Sequence, residues 1–333
     1  LALTWQIQTT SGKQNIIPKL YDTVLNVIAK DFVIDPQRTQ PREVIRAGKN
    51  VVEVILKFKT KFGYCEGVVR LYEDSEASGT FKAWNFLTAL SDLNSSFNKK
   101  EDQYENTLEG PNWLDVRKED RLYKDRDPEV LVVGSGQAGL SIAARLKQQN
   151  IDTLVVDKNE RVGDNWRNRY HSLKLHNQTH VNHLPYMPFP PTWPTYIPKD
   201  KLAGWFEYYA ESMELNVWTK TTFISAEYDK AKKNWNVKLK LSDGNERIMR
   251  PKHIVMAVGV SSVPNRTKIP GIEGYKGKVI HSTDYSSGRD YKGKNVLVFG
   301  TGTSAHDVAQ DLYVHGANVK IVQRSASMVV NVE

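Results

Sequence analysis

Two glycine boxes, each directly behind a short apolar run, constrain this chain more than any other feature. The first is Gly134-Ser135-Gly136-Gln137-Ala138-Gly139, preceded by Val130-Leu131-Val132-Val133. The second is Gly300-Thr301-Gly302-Thr303-Ser304-Ala305, preceded by Val296-Leu297-Val298-Phe299. A continuous apolar run is what a parallel strand buried on both faces requires. Helical periods follow, over Gln137 to Gln149 and Thr303 to His315, and then further strands over Thr153 to Asp157 and Asn318 to Gln323. Strand, glycine turn, helix, strand is a βαβ unit, so the chain is α/β with two Rossmann-type dinucleotide-binding units.

Each glycine has a separate task. Gly134 allows the tight turn, Gly136 lets backbone approach a pyrophosphate, and Gly139 lets helix and strand pack closely. The helix that follows offers free N–H groups and a partial positive charge to phosphate. Asp157, with Lys158 beside it, ends the second strand about twenty residues on, where an acid accepts from ribose hydroxyls. In the second unit Ala305 takes the third place, and the strand runs out to Arg324 instead of an acid. A guanidinium can bind a 2′-phosphate through two hydrogen bonds, whereas an acid would repel it, which argues for NADP(H) over NAD(H). Two such units in one chain suggest a held and an exchangeable cofactor that pass a hydride between them. Disulfide reduction needs a redox cysteine pair, and Cys65 is the only cysteine in the sequence.

At 333 residues the chain has length for about two domains by the usual prior. Residues 1–95 read as α+β, with a helical period over Ile16 to Ile28 and strands over 51–60, 67–72 and 80–90. Val52, Val54, Leu56 and Phe58 alternate as in a half-buried strand. Residues 96–127 are rich in Asn, Lys, Glu and Asp and read as a linker, with a short amphipathic piece around Trp113 and Leu114. Residues 128–270 hold the first dinucleotide unit, a helix over 201–213 and an antiparallel meander over 223–249 with a turn at Asp243-Gly244. Residues 271–333 begin the second unit. The formal charge of +8 comes from basic residues scattered among acids, a solvated surface that helps steer anionic ligands and no nucleic-acid patch. No apolar run reaches the ~18 residues of a membrane helix. With a single cysteine, this points to a cytoplasmic protein. The chain opens at Leu1 instead of Met and stops at Glu333 in an apolar run, so further chain beyond Glu333 is expected.

Beyond the boxes, Gly163-Asp164-Asn165-Trp166-Arg167, Ala257-Val258-Gly259, and Tyr275-Lys276-Gly277 through His281 to Tyr285 resemble the class B flavin-containing monooxygenases. In that family a stretch of the last form precedes the NADPH glycine box, as it does here. The run from Arg169-Tyr170 through Leu173-Lys174-Leu175-His176 to Met187-Pro188-Phe189-Pro190 is most similar to the branch containing the indole-pyruvate monooxygenases. The resemblance covers residues 125 to 333. Residues 1–95 resemble a SnoaL-type α+β cone, an extension that some relatives carry. Tyr275 stands where the family has Phe, Ser286 where it has Lys or Arg, and Tyr285 where Baeyer–Villiger members have Trp.

The resemblance implies FAD on the first unit, with Gly163, Asn165 and Trp166 joining the box, and NADPH on the second. It implies an oxidoreductase that takes O₂ and a small-molecule substrate and inserts one oxygen atom through a C4a-hydroperoxyflavin. The reaction would be N- or S-oxygenation or oxidative decarboxylation of an α-keto acid. An asparagine that helps hold the hydroperoxide in amine-oxidising members falls near His176 or Asn177, the two candidate catalytic residues. An NADPH oxidase or reductase without oxygen insertion, or a non-catalytic cofactor-binding member, would carry the same motifs, and a homodimer is compatible with all three. His171, His176, His180 and His183 crowd one stretch without Cys, Asp or Glu among them and read as polar loop residues instead of metal ligands. The PxxP spacing around Pro185 to Pro194 is interleaved with Tyr186, Phe189 and Trp193, which suggests burial inside the domain. His281 reads as a structural linker position.

Overall fold

In the computed structural model, which describes residues 2–4, 8–94, 110–260 and 263–328, the chain divides into two units, Leu1–Gln103 and Tyr104–Glu333. The first opens with helix α1 (Lys13–Val27) and continues as strands β1 (Lys30–Ile34), β2 (Arg42–Arg46), β3 (Lys49–Lys59), β4 (Gly63–Glu73) and β5 (Phe81–Leu93). The sheet is antiparallel in the order β1-β3-β4-β5, with β2 pairing the other part of β3. The helix and the three longer strands lie where the sequence places them. Strands β1 and β2 are additions. Strand β2 carries Arg, Glu and Arg among its five residues and is held by a two-residue turn, Ala47-Gly48, with positive φ at both positions (49° and 75°). That pair of conformations matches the right-handed twist of a hairpin.

The alternation expected on β3 holds only in part. Val54 and Phe58 are buried while Val52 and Leu56 are partly exposed, and Val51 is buried on the opposite face. Glu53 lies across from Arg42 on β2 and Arg70 on β4, and it pairs with both (3.1 and 2.8 Å) and with Arg46 (3.3 Å). One carboxylate pairs with three guanidiniums across three strands.

In the second unit the elements run α2 (Trp113–Leu122), β6 (Val130–Val133), α3 (Gln137–Lys147), β7 (Thr153–Val156), α4 (Asp164–Arg167), α5 (Lys199–Ser212), β8 (Asn216–Trp218), β9 (Thr222–Asp229), β10 (Asn234–Lys240), β11 (Glu246–Met249), β12 (His253–Met256), β13 (Asn295–Phe299), α6 (Thr303–Val314) and β14 (Asn318–Val322). A parallel sheet in the order β12-β6-β7-β8 forms its centre. Every residue of β6 and β7 is buried, as their unbroken apolar sequence demands. One face, with Val132 and Val155, packs on Leu140, Ala143 and Ala144 of α3 and Leu202 and Phe206 of α5. The other, with Leu131, Val133, Leu154 and Val156, packs on Val237, Leu239 and Met249 of the meander β9-β10-β11. Strands β13 and β14 form a separate parallel pair, with Val296, Val298 and Val319 packed against Val308 and Leu312 of α6.

The linker expected over 96–127 is corrected for its second part; residues 95–109 lie outside the described residues. Helix α2 docks on the second unit, and its buried contact is Arg117 instead of Trp113 or Leu114, which stay half exposed. The Arg117 guanidinium donates to the Glu214 carbonyl (2.5 Å) and pairs with Asp120 (3.0 Å). Tyr123, fully buried, donates to Asp152 (2.7 Å), and the Trp218 indole donates to the Arg121 carbonyl (2.7 Å). A composition rich in charge hid a docked helix because the charges themselves make the contact.

The Glu53 cluster gives the first unit a defined acid response. Hydrogen bonding from Arg70, aided by Arg46 and Arg42 and opposed by burial, holds the Glu53 pKa down at about 2. A carboxyl with a folded pKa below its unfolded value contributes stability above the unfolded pKa and loses it as pH falls toward the folded one. Stability of the first unit should therefore drop between about pH 4.5 and 2, by on the order of 1–2 kcal/mol after solvent screening of the half-exposed arginines. Denaturant unfolding of the full chain across that range should show this slope, and Glu53→Gln should remove it.

Candidate dinucleotide sites

At the first box, packing fixes two of the three glycines. A Cβ on Gly139 would stand 1.8 Å from the Gly134 carbonyl oxygen and 3.4 Å from the Ala257 Cβ, so α3 presses directly onto the turn. Gly134 has φ +106°, and a Cβ there would meet the Ala257 carbonyl at 2.5 Å. Gly136 is different: only the Asn165 side-chain amide comes near, at 3.1 Å. The Gly136 carbonyl accepts from Leu140 N–H (2.9 Å), which leaves the Gln137 and Ala138 amides at the exposed tip of α3.

Asp157 is buried at the end of β7, and its carboxylate faces the turn. Oδ2 accepts from both the N–H and the hydroxyl of Ser135 (2.7 Å each), and Oδ1 accepts from Asn159 N–H (2.8 Å). The expected role of Asp157 toward a ribose is thus joined by one the sequence did not suggest, bracing of the glycine turn. A carboxylate has about four acceptor positions, so one remains for an outside donor. Lys158, next in the chain, is exposed.

Helix α4 closes the other side of this box. Gly163 has φ +89°, and a Cβ there would strike the Ala203 carbonyl of α5 at 2.4 Å, so this glycine serves packing between α4 and α5. Buried Asp164 accepts from Arg161 N–H (3.0 Å) and pairs with Arg167. Arg161 and Arg167 both reach Glu207 of α5 (2.8 and 3.0 Å). So clamped, α4 brings Asn165 beside Gly136, and Trp166 donates its indole N–H to the Gln137 side chain (3.3 Å). Four residues singled out in the sequence, Gly136, Gln137, Asn165 and Trp166, meet at one place.

The second box is built more openly. Gly300 has φ +107°, and a Cβ on either Gly300 or Gly302 would meet nothing within 4 Å. Gly302 has ordinary negative φ (−75°), so neither backbone nor packing demands glycine there, and the cradle it leaves suits a ligand. Its carbonyl accepts from Ala305 and His306 N–H (2.9 and 3.2 Å), leaving the Thr303 and Ser304 amides at the tip of α6. The Ser327 hydroxyl donates to the Thr301 carbonyl (3.2 Å), and Arg324 is exposed beyond the end of β14. Both boxes fit dinucleotides, one pinned under α4 and one exposed.

Between the boxes lies a polar seam. The Tyr170 hydroxyl donates to Asp307 of α6, and His176 Nε2 lies 2.9 and 3.1 Å from the two Asp307 oxygens. Burial, with the Asp307 carboxylate beside it, pushes the Tyr170 pKa up, so the phenol stays a donor. His176 and Asn177 are both exposed, and the Asn177 carbonyl accepts from Asn182 (3.2 Å). One turn further along α6, buried Asp311 accepts from the Tyr285 hydroxyl (2.5 Å) and Gly288 N–H (2.7 Å). Tyr285, which ends the motif before the second box, is buried against α6, and burial together with Asp311 raises its pKa.

His281 Nδ1 accepts from Thr283 N–H (3.2 Å), a turn-capping contact. His183 Nδ1 accepts from Phe189 N–H (2.9 Å), and no group of three or more His, Cys, Asp or Glu among the described residues could hold a metal. In the proline-rich stretch Phe189 is buried and stacks on Trp193 (4.8 Å), while Tyr186 stays exposed and meets Arg145 through its ring face. Tyr285→Phe should leave Asp311 short of a donor and lower the stability of the second unit by about 1–3 kcal/mol, read as a fall in denaturant midpoint.

The chain is 36% identical over 201 residues to a probable indole-3-pyruvate monooxygenase, YUCCA3 of Arabidopsis thaliana, covering 59% of this chain and 46% of that one. It is 34% identical over 199 residues to indole-3-pyruvate monooxygenase YUCCA1 of Oryza sativa subsp. japonica, covering 60% and 48%. The chain therefore spans about half the length of these curated relatives. Among solved structures it resembles a flavin-containing monooxygenase from Stenotrophomonas maltophilia (TM-score 0.55, 20% identity, 60% of this chain and 59% of that one). It also resembles a bacillithiol disulfide reductase from Bacillus cereus (TM-score 0.54, 23% identity, 60% and 59%), a likeness of fold alone. Residues 131–332 match the pyridine nucleotide-disulphide oxidoreductase family. The resemblance to flavin-containing monooxygenases seen in the sequence is thus borne out, and the chain belongs to the pyridine nucleotide-disulphide oxidoreductase family.

Proposed function

We propose that this chain is the cofactor-binding part of an FAD- and NADPH-dependent monooxygenase, with FAD on the first box and NADPH on the second. The observation that carries this reading is the contrast between the glycines. Gly134, Gly139 and Gly163 are explained by packing or backbone conformation, whereas Gly302 is not and Gly136 faces only a side-chain amide. A glycine at each helix tip that no backbone contact demands, twice in one chain, supports two dinucleotides. Cys65 is buried, single and pushed up in pKa by burial, so it supports no dithiol chemistry of the kind the family name suggests.

A bound flavin would supply hydride acceptance from NADPH and the activation of O₂. The chain's own work is to bind, orient and exclude water. The amide tips of α3 and α6 would meet the two pyrophosphates, and Asn165 would lie against the first. Arg324 would meet the 2′-phosphate of NADPH. The Arg161–Glu207–Arg167 group clamps α4 over the first site, which would restrict water there. The substrate is a small organic molecule, and the names of the relatives favour an α-keto acid over a soft nitrogen or sulfur nucleophile. No helix among the described residues is long and apolar enough to cross a membrane. The single cysteine in the sequence supports a cytoplasmic setting. The SnoaL-like reading of residues 1–95 rests on one helix and one antiparallel sheet.

The reading is tested by adding NADPH anaerobically to the purified protein, then O₂ and an α-keto acid. Bleaching by NADPH followed by oxygenated product is the expected result. Peroxide in proportion to NADPH consumed, with no product, would favour an oxidase instead. Gly136→Val should abolish flavin retention, because a branched side chain would fill the pyrophosphate gap; normal flavin content would refute the first assignment. Arg324→Ala should weaken NADPH binding roughly 10- to 150-fold, the loss of one charge-assisted contact, with NADH nearly unchanged. Equal loss for both nucleotides would make Arg324 structural.

A further inference from the structure

Asp307 sits on α6 one turn behind the tip that carries the open Gly302, yet its carboxylate turns away from solvent toward a segment of the first site. It takes the Tyr170 hydroxyl and His176 Nε2 together. The segment that holds those two donors leads directly from α4. Its other ties include backbone bonds, His171 N–H to the Ser286 carbonyl and Leu175 N–H to the Ile197 carbonyl, each 2.8 Å, and Lys199 N–H to the Leu173 carbonyl, 3.1 Å. Lys199, buried, donates to the Arg167 carbonyl at the end of α4 (2.9 Å). Leu173 adds a buried apolar contact to Val308 and Leu312 of α6. A continuous chain of contacts therefore runs from Gly136 and Asn165 through α4 to Tyr170 and His176, and from there through Asp307 to the tip of α6.

We propose that Asp307 is a positioning residue that clasps the tip of α6 to the 170–176 segment and so holds the two dinucleotide sites in register. This rests on the two-nucleotide reading above. Hydride transfer between two bound cofactors depends steeply on their separation and angle, and a shift of about 1 Å in placement can cost on the order of 100-fold in rate. Burial alone does not supply that alignment here. Leu173 and the Tyr170 ring pack against α6 without setting direction, whereas the paired hydroxyl and imidazole bonds to one carboxylate fix both position and rotation. Asp307 acts through Tyr170 and His176 and need not touch either cofactor.

The test compares the full chain with Asp307→Ala and Asp307→Asn. Asparagine can keep both contacts, since its amide oxygen accepts from Tyr170 and its amide N–H₂ donates to the other imidazole tautomer. Three quantities are read: hydrogen exchange of the 170–176 amides, NADP⁺ affinity by titration, and the rate of flavin reduction at saturating NADPH. In Asp307→Ala, exchange over 170–176 should rise about tenfold or more while β6 and β7 stay protected. NADP⁺ affinity should change less than about threefold, and reduction should slow by about 10- to 100-fold. Asp307→Asn should stay close to the parent on all three.

Unchanged exchange and reduction in Asp307→Ala would overturn the proposal. So would an Asp307→Asn variant as slow as Ala with native exchange, which would make the charge and not the clasp responsible. Loss of flavin and of β6–β7 protection in both variants would also overturn it, as the mark of a general folding role. The exchange arm reads equally well on protein without cofactor. A parent chain that holds no flavin would sink the functional reading, while the clasp would still stand or fall on the exchange arm.

Discussion

The close approach of α3 to the turn after β6 governs the second unit. With 1.8 Å between a would-be Gly139 Cβ and the Gly134 oxygen, there is room for one α-hydrogen of Gly139 and for no side chain. That contact places the amide tip of α3 at the carboxyl end of the parallel sheet, where open α/β sheets bind their ligands. Ala257, just past β12, also lies against the same turn, so this edge strand of the sheet helps to shape the site. Asp157 then locks the turn from the far side through Ser135. A glycine pattern thus acts first as a packing rule and only then as a binding rule.

The second box obeys a looser version of that rule. Ala305 replaces the third glycine, and a Cβ on Gly300 or Gly302 would find open space. The β13–β14 pair is covered by α6 on one face, while Leu297 and Phe299 on the other are each half exposed. The contrast suits the division of labour proposed for the two sites: a pinned site retains its ligand, and an open one exchanges it. The proposed alignment between them falls on Asp307 of α6, which takes the Tyr170 hydroxyl, while Asp311 ties α6 to Tyr285 within the second unit itself.

Much of this was legible in the sequence because the signals were local and redundant. Both βαβ units and the meander with its Asp243-Gly244 turn follow from runs of apolar residues and glycines at fixed spacing, whereas the place of Asn165 and Trp166 beside the first box was implied only by the family resemblance. Strands β8 and β12 were not legible, being three and four residues long and defined only by pairing with β7 and β6. Helix α2 was hidden for a different reason. Its buried residue is an arginine, and the acceptors that make burial tolerable, such as the Glu214 carbonyl, come from about a hundred residues away. Gly163 shows the converse: a motif glycine expected at a ligand is also required by packing against α5. Tertiary partners decide such cases, and no spacing rule names them.

The claim at the centre of this account is that one chain presents two dinucleotide sites of unequal hold. Its most direct measurement is the stoichiometry of bound nucleotide on the purified full chain, with flavin counted from its absorbance and NADP⁺ from calorimetric titration. One flavin should survive gel filtration, and one NADP⁺ should bind reversibly with the flavin still in place. A colourless protein that binds no NADP⁺, or one in which NADP⁺ displaces the flavin from a single shared site, would contradict it.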